Sequence, residues 1–143
     1  MTDDKVSEQA EWNAAVQTFE LHRHVGIYAL LGAKMGIRAL EYFGAGIDEL
    51  SVLSYAGFSP PVSCMNDGIQ VSTGATVGHG LIRVLEDRME PTAEFTYLGS
   101  TIRIRLKEAF RNKIATEIGQ LVRTHGLESD AYWAEVRANA LRY

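Results

Sequence analysis

The sequence predicts an α+β fold, because two different hydrophobic periods occupy separate stretches of the chain. Apolar residues recur at helical spacing as far as Phe43 and again from Phe110 onward. Between them Phe95 and Tyr97 alternate with Glu94 and Thr96, and Ile102, Ile104 and Leu106 alternate with Arg103 and Arg105. Helices segregated around a small antiparallel sheet are the natural product of that order. With 143 residues, no repeat and no long linker, the chain has room for one core, so residues 1–143 are read as a single domain.

A first helix is predicted from Ser7 to Phe19. Ser7 can cap it, Glu8 and Glu11 suit the positive end of its dipole, and Trp12, Val16 and Phe19 form an apolar stripe. The segment Leu21-His22-Arg23-His24-Val25-Gly26 is too polar and irregular to continue it. A second helix runs from Ile27 to Phe43 and ends at Gly44, with Gly32 and Gly36 four apart, which lets another backbone approach closely. Leu50 to Tyr55 reads as a short strand, closed by the breaker Gly57-Phe58-Ser59-Pro60-Pro61. Cys64 to Val71 reads as a short helix, Gly74, Gly78 and Gly80 as a loop, and Leu81 to Leu85 as a strand. Leu98-Gly99-Ser100 joins the two alternating stretches as a hairpin. Phe110, Ile114, Ile118, Leu121 and Val122 define a helix closed near Gly126. Ser129 caps a last one bearing Tyr132, Trp133, Val136 and Leu141.

Composition removes several classes of function. A net charge of -4 gives no reason to expect nucleic acid or an anionic membrane as partner. The best apolar stretch, Val25 to Leu31, soon meets Lys34 and Arg38, well short of the roughly 18 apolar residues of a membrane span. The opening Met1-Thr2-Asp3-Asp4-Lys5 lacks the basic and apolar runs of a signal peptide, so a cytoplasmic location is expected. Cys64 is the single cysteine, which excludes an internal disulfide and a thiolate-only zinc site. No serine has a nucleophile-elbow context.

Three segments can carry chemistry. His22-x-His24 places two imidazoles on one face only where the chain is extended. Taken alone, such a pair is more often two partly exposed histidines in a loop than a metal site. Cys64 and Asp67 fall on one face of a helix, so a thiolate and a carboxylate can converge, although a lone cysteine is usually a small buried hydrophobe. Thr73-Gly74-Ala75-Thr76-Val77-Gly78-His79-Gly80 is neither a Walker loop nor a dinucleotide fingerprint. Its glycines and hydroxyls suit either a ligand-lining loop or a tight turn. His79 and His125 have no sequence partners and read as surface or loop residues, and Arg103 and Arg105 as a solvated face.

Together these segments resemble the FmdE family of formylmethanofuran dehydrogenase proteins. Its first motif, two histidines running into a glycine-containing helix, stands here as His22-Arg23-His24-Val25-Gly26-Ile27-Tyr28 followed by Leu31-Gly32-Ala33-Lys34-Met35-Gly36. Its Cys-x-x-Asp-x-x-Gln segment and Thr-x-Gly-x-Gly loop stand as Cys64-Met65-Asn66-Asp67-Gly68-Ile69-Gln70 and Thr76-Val77-Gly78-His79-Gly80. The resemblance covers about residues 18–106, with 107–143 as a helical C-terminal extension. Arg23 replaces the usual glycine and Ile27 a common proline. Longer members carry a cysteine-rich zinc ribbon, whose role does not carry over to a chain with no cysteine after Cys64.

The resemblance implies a divalent metal ion held by His22, His24 and Cys64, with Asp67 orienting a ligand or acting as a base. Zinc is expected, with iron or nickel as substitutes. Gln70, Thr73, Thr76 and Arg23 are expected around a small-molecule ligand. Two other functions stay open: a binding protein for a metal or a chelate such as haem, and an accessory subunit of a molybdenum or tungsten oxidoreductase. A homodimer is expected from the apolar content, the Gly32/Gly36 stripe and the aromatic tail of Tyr132, Trp133 and Tyr143.

Overall fold

The computed structural model describes residues 2–22 and 26–125. The fold is α+β: among the described residues, four helices pack with a four-stranded mixed sheet. The predicted final helix beyond Gly126 lies outside the described residues.

Helix α1 (Thr2–His22) is longer than the sequence predicts and takes in Leu21 and His22. Its buried face also differs. Glu11, Ala14, Ala15 and Thr18 are buried, whereas Val16 is exposed and Phe19 only partly covered. The side chain of Trp12 lies outside the described residues. The reason is the neighbour: α2 (Ile27–Phe43) comes close to α1, and alanines permit that approach where larger side chains would not. Helix α2 has the predicted bounds and stops at Gly44, whose left-handed backbone (φ 63°) lets its N–H reach the Glu41 carbonyl.

Strand β1 (Ser51–Ser54) leads through the cis Pro60–Pro61 peptide and a single 3-10 turn (Val62–Cys64) into α3 (Met65–Thr73). Strands β2 (Ile82–Val84), β3 (Thr92–Tyr97) and β4 (Ser100–Arg105) follow, then α4 (Glu108–His125). The sheet order is β2-β1-β3-β4. The sheet is mostly antiparallel, as expected: β1–β3 and β3–β4 are antiparallel pairs, while β1 and β2 run parallel. The cause is α3, because a helix between two neighbouring strands returns the chain to the same end of the sheet. The hairpin turn has two residues, Leu98 and Gly99, both at positive φ (48° and 85°), and Ser100 already belongs to β4.

One row across the sheet is Ile82, Val52, Phe95 and Ile102. It packs against Leu31 and Met35 of α2 and Met65 and Ile69 of α3, and Phe95, Leu50, Met65 and Ile69 are fully buried. The opposite face carries Arg83, Glu94 and Arg103 and meets solvent, as the alternation predicts.

The closest approach in the core is between α2 and α3. A Cβ on Gly32 would fall well inside contact distance of the Met65 carbonyl, and one on Gly68 would collide with the backbone of Ala29 and Ala33. The Gly32/Gly36 stripe, expected to receive a second copy of the chain, is therefore filled by α3 of the same chain, and a dimer draws no support from it. Gly68→Ala should cost about 3 kcal/mol or more, since the obstructing atoms are main chain and cannot rotate away. Gly78→Ala, which meets only Thr76 Oγ1 at 3.9 Å, should stay within about 0.5 kcal/mol of wild type in the same urea unfolding measurement.

Candidate functional site

The start of α3 is pinned before any functional group is considered. Asn66 accepts a bond from Ser54 Oγ (2.5 Å) and donates to the Gly57 carbonyl (2.9 Å), fixing the helix to β1 and the turn after it. That anchoring decides where Cys64 and Asp67 sit. Cys64 is the residue preceding the first turn of α3, one position ahead of the predicted helix interior, and Asp67 lies within that turn.

Asp67 Oδ2 lies 2.7 Å from His22 Nδ1, across 45 residues of sequence. The histidine is one-fifth exposed (19%) and the carboxylate about one-third (37%). Toward an ionised carboxylate, which only accepts, Nδ1 is the donor, and an imidazole that holds its one proton there presents its lone pair at Nε2. Gly26 lies beside this edge of the ring, where a Cβ would stand in ordinary contact, 3.6 Å from Nε2. His22 is the last residue of α1, which corrects the reading of Leu21-His22 as lying outside the helix. The helix persists to His22 because its final turn points the imidazole at a partner that offsets the loss of solvent. His24 and Arg23 lie outside the described residues.

Cys64 is free and partly buried. Burial pushes its thiol above the ordinary range, and the negative Asp67 adds to that shift. Without a cation nearby the sulfur therefore holds its proton, and a positive ion would reverse the balance. Among the described residues, no three His, Cys, Asp or Glu side chains group around one point.

The loop after α3 is held by the residues expected to line a ligand. Gln70 donates to the Asn66 carbonyl (3.3 Å) and accepts from the Val77 N–H (3.1 Å). Thr73 is fully buried, and its hydroxyl donates to the Ile69 carbonyl (2.6 Å) and accepts from the Ala75 N–H (3.0 Å), so it shapes the loop from within. Thr76 Oγ1 accepts the His79 N–H (3.1 Å). His79, read from the sequence as a surface or loop residue without partners, bonds the Gly74 carbonyl through Nδ1 (2.6 Å) and lies 3.5 Å from Asp48. Nothing in the sequence pairs Asp48 with His79; α3 and its exit turn bring them together. A separate cleft of about 620 Å³, lined by Pro91, Arg105, Lys107 and Arg111 among others, opens where β4 meets α4 and contains none of these groups.

The molecule is thus a mixed-sheet α+β domain in which a carboxylate of α3 holds a histidine of α1 and a thiol stands just before α3. The chain belongs to the FmdE family, described as "Molybdenum formylmethanofuran dehydrogenase operon", which it matches over residues 21–139. That match runs past residue 106, the end of the stretch over which the sequence resembles the family, through α4 and beyond. No curated protein matches the chain.

The state of Cys64 is open to direct measurement. In chelator-treated protein its alkylation by iodoacetamide should rise with pH along a curve displaced to higher pH than that of an unstructured cysteine peptide. Asp67→Asn should move the curve part of the way back, because burial, the larger cause, remains. A curve coincident with the peptide's would contradict this environment.

Proposed function

We propose that this chain is a metal-binding domain of the zinc type, in which His22, His24 and Cys64 hold a divalent ion and a remaining position takes water or a small-molecule ligand. The observation that supports the reading is the bond from His22 Nδ1 to Asp67. A carboxylate on one imidazole nitrogen is the common device that fixes the tautomer and direction of a ligating histidine. Two imidazoles and a thiolate suit zinc, with iron and nickel as substitutes.

Bound there, the ion would supply Lewis acidity and lower the pKa of a coordinated water. The chain's own groups do the rest. Asp67 keeps the proton on Nδ1 so that the Nε2 lone pair faces the ion, and its second oxygen, bonded by no described residue, is available to take a proton from a ligand. Gln70 and Thr76 hold the loop that follows α3, and Arg23, adjacent to His22 in sequence, supplies positive charge for an anionic ligand. A second reading draws on the family's description, which names an operon of a molybdenum enzyme: an accessory subunit with a purely structural ion. Four protein ligands and no exchangeable position would select it.

Metal stoichiometry of purified variants tests the proposal. Cys64→Ser should abolish tight binding, since a neutral hydroxyl lacks the thiolate's charge and softness. His22→Ala and His24→Ala should each weaken binding strongly, while His79→Ala and His125→Ala leave the content unchanged. Asp67→Asn should retain metal with an affinity about 10–100-fold lower. Affinity should climb with pH, because the ion must displace the proton that burial and Asp67 hold on Cys64. Full occupancy in a folded Cys64→Ser protein would sink this ligand set.

A further inference from the structure

The face by which α1 meets α2 has little shape. Ala14 packs with Ala33 and Ile37, with Ala10 and Leu40 at the margin, and Thr18 turns its hydroxyl back onto the Ala14 carbonyl (2.7 Å). Small side chains allow close approach but give no deep interlock to tell one axial position from the next. A slip of one turn would carry every α1 residue about 5.4 Å along the axis. The His22–Asp67 bond at the end of the helix would not survive it.

One charged side chain interrupts this face. Glu11 is buried, and its Oε1 is shut off from solvent without a hydrogen bond from any described residue. Arg38 Nη2 lies 3.5 Å from that oxygen. Lys34, one turn earlier on α2, feels the same carboxylate: burial lowers its pKa and Glu11 opposes the shift. Attraction in such a cluster is largely offset by desolvation, so its best-attested use is to fix register. Glu11 also stands about three helical turns before His22, which puts the two on one face of α1.

We propose that Glu11, bracketed by Lys34 and Arg38, is a positioning residue that sets the axial register of α1 and so brings His22 onto Asp67. Its importance for metal binding rests on the reading of His22 as a ligand; the register itself does not.

The test uses Glu11→Leu and Glu11→Gln, each alone and combined with Asp67→Ala, in urea unfolding with chelator present and in zinc titrations. Glu11→Leu should be as stable as wild type or more so, since a well-packed apolar group avoids the desolvation. Asp67→Ala should then cost less in the Glu11 variants than in wild type, although Glu11 and Asp67 share no bond. Zinc affinity should fall about 10–100-fold in both Glu11 variants, as for loss of a ligand's orienting partner. If Glu11→Leu fails to fold, Glu11→Gln, which keeps shape and removes charge, carries the comparison. Strict additivity with undiminished zinc affinity would overturn the proposal. Non-additivity in a protein that binds no zinc would uphold the register and remove the metal reading; zinc binding with additive substitutions would do the reverse.

Discussion

The contact on which the rest of this structure depends is the crossing of α2 and α3 at Gly32 and Gly68. Each glycine faces main-chain atoms of the other helix, so the two backbones lie closer than any pair of side chains would allow. This places the first turn of α3 over the beginning of α2, where α1 has just ended. Asp67 reaches His22 because nothing larger than hydrogen stands between those helices. The sheet follows from the same constraint, since α3 held against α2 forces β1 and β2 to run in one direction.

Polar groups then finish what the glycines begin. Asn66 binds Ser54 and the Gly57 carbonyl at one end of α3, while Gln70 and Thr73 tie its other end to the following loop. The helix is fixed at both ends by side chains whose hydrogen-bonding capacity is used inside the protein, as burial of polar atoms demands. Asp67 differs from them: one oxygen meets His22 of α1, and the other takes no bond from a described residue. Alternating anchors and one outward-looking carboxylate are how a scaffold differs from a site built upon it.

Much of this is legible from spacing alone. The bounds of α2, the hairpin, the parity of β3 and β4 and the helix after Pro60-Pro61 all follow from local patterns that the fold obeys. The parallel β1–β2 pair is not legible, because strand direction depends on where α3 packs, and that is a long-range fact. The buried face of α1 escapes local pattern for a related reason. Periodicity of large apolar residues points at Val16, whereas a tightly spaced helix pair selects Ala14 and Ala15. Cys64, Asp67 and His22 stand out as candidates through motif resemblance, but the bond between the last two spans 45 residues and no local rule supplies it. Glu11 carries a local signal of a different kind: as an acidic residue early in a helix it reads as a dipole partner, and only tertiary packing turns it inward.

The order β2-β1-β3-β4 also has a colloidal consequence. An open sheet exposes two rows of backbone donors and acceptors, which invite edge-to-edge addition of further strands. Here one edge is β2, only three residues long and bearing Arg83, and the other is β4, which sets Arg103 and Arg105 along its solvent side. A like strand approaching either margin finds a short ladder or a row of cations, so indefinite lateral growth of the sheet is disfavoured.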